Sequence, residues 1–438
     1  MRERADIVVV GAGAAGLFAA IWAARALRAR VTDEPAAGRS ADESRVIVLD
    51  GARKIGAKIL VAGGGRCNVT HHAVGERDYA GSTPGGIRSV LRRFGVEDTI
   101  AFFRERGVEL KREATGKLFP VSDRAQDVLD ALLDAAGEAG AEVRHPARVE
   151  SIERIEDGFV VRGAWGEIGA RRVVLATGGM ALPATGSDGA GYAFARTLGH
   201  TTTARIVPAL VPLIVEEGSF VRGLSGLAAD VALEVRGGGG KRLTRVRGSM
   251  LCTHFGVSGP AALDVSRHYF AARAEDAAAT LHVCWTPEVS AEEMDHELVA
   301  LGGGSVRGWL RERTRDALAE RLVDALLDEA GVSARATGAT LTRETRRSLV
   351  RTLTEMELRV TGDRGFKFAE VTAGGVPLAE VSVKTMESRA CAGLHLCGEV
   401  LDVDGRIGGF NFQWAWASGY VAGLSAVEAH DAPREGHR

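Results

Sequence analysis

Residues Asp6–Gly16, DIVVVGAGAAG, constrain this chain more than any other stretch. The four β-branched residues Ile7–Val10 read as a buried parallel strand. Gly11, Gly13 and Gly16 follow at GxGxxG spacing, where strand should turn into helix. Gly11 permits the tight turn, Gly13 lets backbone approach a pyrophosphate, and Gly16 lets the helix lie close to the strand. Ala14 opens a helix expected to reach about Leu27, with its N-terminal amides and positive dipole end toward the phosphates. A rival reading exists, because Ile7–Ala24 is 18 residues without a charge, the length of a membrane span or signal segment. The glycines at turn spacing and the flank Arg2, Glu3, Arg4 and Asp6 favour the dinucleotide turn.

The second strand is expected at Val46–Leu49, ended by Asp50, an acid placed to bind ribose hydroxyls. Asp50 lies 34 positions after Gly16, against a usual gap of about 20. The polar run at about 28–45 is therefore read as a loop insertion in the first crossover. Asp33 is the rival acid, but no adequate strand precedes it. Next, KILVAGGGRCNVT over 58–70 places Gly63, Gly64 and Gly65 before Arg66, Cys67 and Asn68. A backbone-exposed turn with polar donors suits a phosphate or an isoalloxazine edge. Cys67, His71 and His72 also have metal-ligand spacing, but no fourth ligand follows nearby and no metal site is expected.

Two amphipathic helices should follow. Ser89–Arg106 is broken at Gly95 and stopped at Gly107, and Asp123–Ala136 has Asp123 as N-cap with Gln126 three residues on. Between them, Thr115–Pro120 is a loop that could line a substrate pocket. A hairpin is expected around Asp157-Gly158, and Arg172–Ala176 is another buried strand leading into Thr177, Gly178 and Gly179. From about 201 to 368 short alternating segments and capped helices suggest an α+β insert without a nucleotide motif. Its helices are expected from the Ser290–Glu293 capping box, over Trp309–Leu327 and over Thr342–Glu357. THFGVSGP at 253–260 is read as a polar loop in which His254 is a structural or a catalytic residue. Gly393–Cys397 reads as a strand, and an apolar helix is expected from about Gln413 to Val427, after the glycine pair Gly408-Gly409.

The net charge of −2 gives no overall basic field for nucleic acid or anionic membrane; a local patch stays open. The 5 cysteines are spread out with no CxxC, which points to a reduced, cytoplasmic protein without a redox disulfide.

In order, GAGAAG, GGGRCNVT, GKLFPVSDRA, LATGG, TGSDGAGY, THFGVSGP, EVTAGGV, KTMES and GEVLDVDGRIGGFN resemble a bacterial flavoprotein family. That family is labelled NAD(P)/FAD-dependent or aminoacetone-oxidase-like, and it holds a bile-acid 3-oxo-Δ4,6 reductase and a ribosomal-RNA dihydrouridine synthase. The resemblance spans nearly the whole chain, with Arg406-Ile407 where the family often has an aromatic–threonine pair. It implies a glutathione-reductase-like, doubly wound α/β domain that binds FAD and is built from both chain ends, 1–200 and 369–438. An inserted α+β domain over 201–368 would have a β-barrel part and a helical part. It implies an FAD-dependent oxidoreductase using NAD(P)H as transient donor to reduce a C=C bond conjugated to a carbonyl. Ribosomal-RNA dihydrouridine synthesis and oxidation of small amines are the alternatives. Substrate is thus a small molecule or ribosomal RNA, with no membrane partner. Cofactor contacts are expected from Gly11, Gly13, Ala14, Gly16, Asp50, Arg53, Lys54, Gly64, Gly65, Arg66, Cys67 and Asn68. Val149 on the adenine side, Thr177, Gly178, Gly179, Gly398, Glu399, Gly408, Gly409, Phe410 and Asn411 would complete the site. Cys67 and His254 are the candidate proton donors.

Overall fold

The computed structural model describes residues 3–33, 45–314 and 318–428. The chain divides into two units, one made of Met1–Pro208 with Val371–Arg438 and one of Ala209–Glu370.

The first unit is a Rossmann-type α/β fold. Its parallel core runs in the order Ala141–Arg144, Val46–Leu49, Glu3–Val10, Gly166–Leu175 and Leu394–Leu396. Register aligns Val10 with Leu49 and Leu175, and Leu175 with Leu396, so these strands end level. The strand Gly166–Leu175 is shared. Its first half pairs antiparallel with Gly158–Gly163, and its second half pairs with Leu394–Leu396 from the far end of the chain. Residues 46–49 are buried throughout, as strands covered on both faces should be.

The two chain ends also meet through helices. Ala14–Asp33 lies against Phe410–Glu428, where a Cβ on Gly419 would fall 2.6 Å from the Ala15 carbonyl oxygen, and one on Gly423 would strike Ala19. Only glycine allows so close a crossing. Phe18 against Trp416 (ring centroids 5.3 Å apart) and Trp22 against Tyr420 (4.8 Å) fill the rest of that contact.

Several boundaries differ from expectation. The first helix runs six residues past Leu27 to Asp33, so the rival acid Asp33 ends a helix; residues 34–44, most of the expected insertion, lie outside the described residues. The second amphipathic helix is Ala125–Ala139, and Asp123 does not cap it. Asp123 has φ +56° and gives its carboxylate to Lys111 (2.5 Å) and Arg66 (3.5 Å). The last helix begins at Phe410 rather than Gln413.

The second unit holds a seven-stranded antiparallel sheet. Its order is Met356–Leu358, Thr280–Cys284, Ala228–Arg236, Arg242–Thr253, Gly256–Ser258, Leu213–Val215, Val360–Asp363. The first and last of these are separated in sequence by Arg359 alone, so the sheet curls round until its edges meet on one extended segment. That closure removes the open edges. Helix Pro260–Glu275, which no pattern in the sequence suggested, buries Ala261, Ala262, Val265 and Tyr269 in the same core as the sheet. The run expected as one helix over Trp309–Leu327 is two, Val306–Arg313 and Glu320–Glu329. The Ser290–Glu293 capping box forms as expected, with Glu293 N donating to Ser290 Oγ at 3.2 Å and Ser290 N to Glu293 Oε2 at 2.9 Å.

Candidate active site

The site is built where the parallel strands end. Gly11 turns the chain with φ +104° after Val10, and a Cβ there would strike the Ala176 carbonyl. A Cβ on Gly16 would strike Gly11 itself. The first turn is therefore seated on the backbone of Ala176 and Thr177. At Gly13 a Cβ would meet nothing within 4 Å, so the Cα edge here faces open space beside the start of the helix at Ala14. Asp50 closes the turn from the neighbouring strand, with Oδ2 accepting from Ala12 N at 2.6 Å and Oδ1 from Ala52 N at 2.7 Å. Arg53 and Lys54 are exposed just beyond it. Val149 is buried in the core between the strands Ala141–Arg144 and Ser151–Ile155.

The run expected as a glycine turn is the broken end of a helix, Ala57–Gly65. The break falls at Ala62 (ψ 144°), after which Gly63, Gly64 and Gly65 take φ +59°, +71° and +86° and are exposed. The right-handed Arg66 (φ −100°, ψ −18°) followed by Cys67 (φ +59°) is the backbone alternation that lines up successive amides for an anion or a ring edge. Arg66 is committed elsewhere: its guanidinium lies 4.0 Å over Phe119 and bonds Glu113 Oε1 at 2.7 Å. The Cys67 thiol is fully buried in the apolar core, and burial pushes its ionisation above the ordinary thiol range. Its backbone is left-handed (φ +59°), and the backbone is what Cys67 contributes to this turn. Asn68 is buried with Oδ1 lacking a hydrogen-bond partner, and Thr177 Oγ1 is a second buried oxygen in the same state. Buried polar atoms without partners are uncommon and call for a ligand or water. The open edge at Gly13, the exposed glycine run and these two oxygens fit a bound dinucleotide.

Gly178 (φ +71°) and Gly179 bring in the C-terminal stretch. A Cβ on Gly179 would come 2.9 Å from Glu399 Oε1. Glu399 also accepts from Thr372 N at 2.8 Å and pairs with Lys58 Nζ at 2.6 Å. Thr372 Oγ1 in turn accepts from Met180 N (2.7 Å) and Ala181 N (3.0 Å). Lys58 and Thr372 were missed in the sequence; both lie inside runs quoted for the resemblance or beside them, but nothing in the spacing marks them as partners of one carboxylate. Gly398 is held by Ser418 Oγ, which accepts from its N at 3.0 Å.

Gly408 (φ +128°) and Gly409 (φ +94°) precede Phe410, whose carbonyl accepts from Tyr79 OH at 2.8 Å. The Asn411 amide is used within its own loop, accepting from Gly405 N (2.8 Å) and donating to Gly405 O (2.9 Å). Gln413, also missed, is a buried hub: Oε1 accepts from Thr70 (2.7 Å) and Thr99 (2.9 Å), and Nε2 donates to the Phe94 carbonyl at 3.0 Å. Near this loop, burial and the neighbouring Asp404 push the half-buried Asp402 carboxyl up to about 6. His254 belongs to the second unit, where its ring is exposed and meets Phe255 edge-on.

The chain is 34% identical over 422 residues to a 3-dehydro-bile acid delta(4,6)-reductase of Clostridium scindens, covering 96% of this chain and 99% of that protein. It is 32% identical over 433 residues to a ribosomal RNA dihydrouridine synthase of Escherichia coli, covering 98% and 99%. Among solved structures it is similar to a 3-ketosteroid-delta4-(5alpha)-dehydrogenase of Rhodococcus jostii, at 16% identity and TM-score 0.47 over 97% of each chain. Residues 5–425 match the HI0933-like protein Rossmann domain, and the chain belongs to that family.

Proposed function

We propose that this chain is an FAD-dependent oxidoreductase that uses NAD(P)H to reduce a C=C bond conjugated to a carbonyl. The observation that carries the reading is the meeting, where the parallel strands end, of glycine turns from both chain ends around Asp50, Asn68, Thr177 and Glu399. The relatives' names supply the chemistry. A bile-acid delta(4,6)-reductase and a dihydrouridine synthase each saturate a ring double bond next to a carbonyl.

In this reading Gly11, Gly13, Ala14 and Gly16 hold the pyrophosphate, and Asp50, aimed by its two amides, accepts from ribose hydroxyls with its remaining lone pairs. Arg53, Lys54 and Val149 flank the adenosine half. Gly64, Gly65, Asn68, Gly178, Gly179 and Gly408–Phe410 frame the ring system, and Glu399, oriented by Lys58 and Thr372, faces the chain that joins the two halves. When bound, FAD supplies hydride transfer; the protein supplies orientation, charge stabilisation and exclusion of water. The expected compartment is the cytoplasm. Among the described residues no helix is long and apolar enough to cross a membrane.

A second reading, ribosomal-RNA dihydrouridine synthesis, is favoured by the 32% identical relative and by one surface. Arg343, Arg347 and Arg351 are exposed at i, i+4 and i+8 on helix Arg343–Glu355, so they share a face. The deciding experiment compares NADPH oxidation by the FAD-loaded protein with small enones and with ribosomal RNA fragments, and maps dihydrouridine in a deletion strain. Reduction of enones with an unchanged RNA profile supports the first reading. Lost dihydrouridine with inert enones supports the second, and rapid peroxide formation from aminoacetone instead would replace both.

A further inference from the structure

Three of the motif runs meet at His71. The strand Thr70–His71 continues the glycine-cysteine run and pairs with Lys117–Pro120, and a Cβ on Gly409 would fall 2.5 Å from the Thr70 carbonyl carbon. The His71 ring is stacked on Phe410 (centroids 4.8 Å apart, 25° between planes) and lies beside Gly408. Its side chain is buried.

The ring's hydrogen bonds suit two charge states. As neutral imidazole, Nε2–H donates to the Thr115 carbonyl (3.1 Å) while Nδ1 accepts from Ala73 N (3.3 Å). As imidazolium, Nδ1–H donates to the Ala73 carbonyl (2.9 Å) and the Thr115 bond remains. No side chain has to move between the two. His72, exposed and with its ring 4.6 Å from that of His71, leads to solvent.

We propose that His71 is the proton-holding residue of this site, taking up a proton when the site gains electrons and so balancing negative charge that develops at the Gly408–Phe410 loop. The proposal rests on the FAD reading above. For each two electrons supplied by a nicotinamide or by dithionite, one proton would go to bound FAD, carried in the hydride when a nicotinamide is the donor, and His71 Nδ1 would take one more from solvent. The surrounding groups set the resting state. Arg406, 4.5 Å over the Phe410 ring and bonded to Asp78 at 2.8 Å, adds positive charge nearby, as does Lys117, the register partner of His71; Glu113 is taken by Arg66. Burial foremost, with His72 and Arg406, holds His71 below the ordinary histidine range, so it rests neutral at pH 7 and takes a proton only when negative charge is added beside it.

The test uses FAD-loaded protein with isotope-labelled histidine. The charge of His71 is read by NMR at pH 7 before and after anaerobic reduction with dithionite, and a pH dye counts the protons taken up. The expected result is a neutral ring that becomes protonated on reduction. His71→Asn and His71→Phe should each still bind FAD and take up one proton fewer per two electrons than wild type. An unchanged His71 signal, or variants with the wild-type proton count, would overturn the proposal and leave FAD binding standing. Loss of the extra proton in His72→Asn, with His71 silent, would overturn it as well. A wild-type chain that binds no FAD would overturn the functional reading and this proposal with it. If neither His71 variant folds, the wild-type NMR titration decides alone.

Discussion

At the residue scale, Asp50 is the most exposed to a direct test. Its two carboxylate oxygens are aimed by the Ala12 and Ala52 amides, and each hydrogen bond the carboxylate accepts from a ribose hydroxyl would contribute about 1.5–3 kcal/mol to FAD binding. Asp50→Ala should therefore weaken FAD binding by at least about tenfold while the protein stays folded, as read by flavin fluorescence and circular dichroism. Unchanged affinity would move the ribose contact elsewhere. His395 makes a different prediction. It is fully buried in the strand Leu394–Leu396, and burial pushes its imidazole down to about 3. The unfolded chain, with an ordinary value near 6.5, binds the extra proton between these limits and the folded chain does not. Stability from this group is thus complete above pH 6.5 and is lost as pH falls toward 3. His395→Leu should lose less stability than wild type between pH 7 and pH 4, measured by urea midpoints. Asp402, raised to about 6, acts with the opposite sign over part of the same window, so the comparison must be made against wild type at each pH.

At the element scale, the crossing of Ala14–Asp33 with Phe410–Glu428 depends on Gly419 and Gly423. Gly423→Val should drive the helices apart, cost roughly 1–3 kcal/mol by overpacking and weaken FAD binding from the C-terminal side. An unaltered unfolding midpoint would show that the close crossing is not needed. Where the sequence was legible at this scale, it was through patterns with one physical cause. The GxGxxG turn, the buried strand Val46–Leu49 and the Ser290–Glu293 box each follow from local chemistry. Helix Pro260–Glu275 was not legible because it is buried on several sides and carries no single apolar stripe. The strand Arg242–Thr253 was hidden by its polar, exposed residues. Asp123 looked like a cap because its spacing to Gln126 fits one, but Lys111 and Arg66 claim its carboxylate. Long-range partners of this kind, Lys58 with Glu399 and Gln413 with Thr70 among them, have no local signal at all.

At the scale of the whole molecule, the proposed cofactor site is assembled from segments far apart in sequence: Lys58 and Glu399 are 341 positions apart. The strand Gly166–Leu175 pairs with strands from both ends, Glu3–Val10 and Leu394–Leu396. Glu399 then reaches Lys58 and Thr372. The intervening Ala209–Glu370 forms its own closed sheet and helical cluster, with its own core, which is why a long insertion leaves the outer unit intact. The most direct measurement is a titration of purified, cofactor-stripped protein with FAD, run on wild type and on one variant from each chain end, Asp50→Ala and Glu399→Gln. Wild type should bind one FAD per chain and turn yellow, and both variants should bind more weakly. A folded wild-type chain that stays colourless, or a loss of affinity confined to one end, would contradict a site made from both.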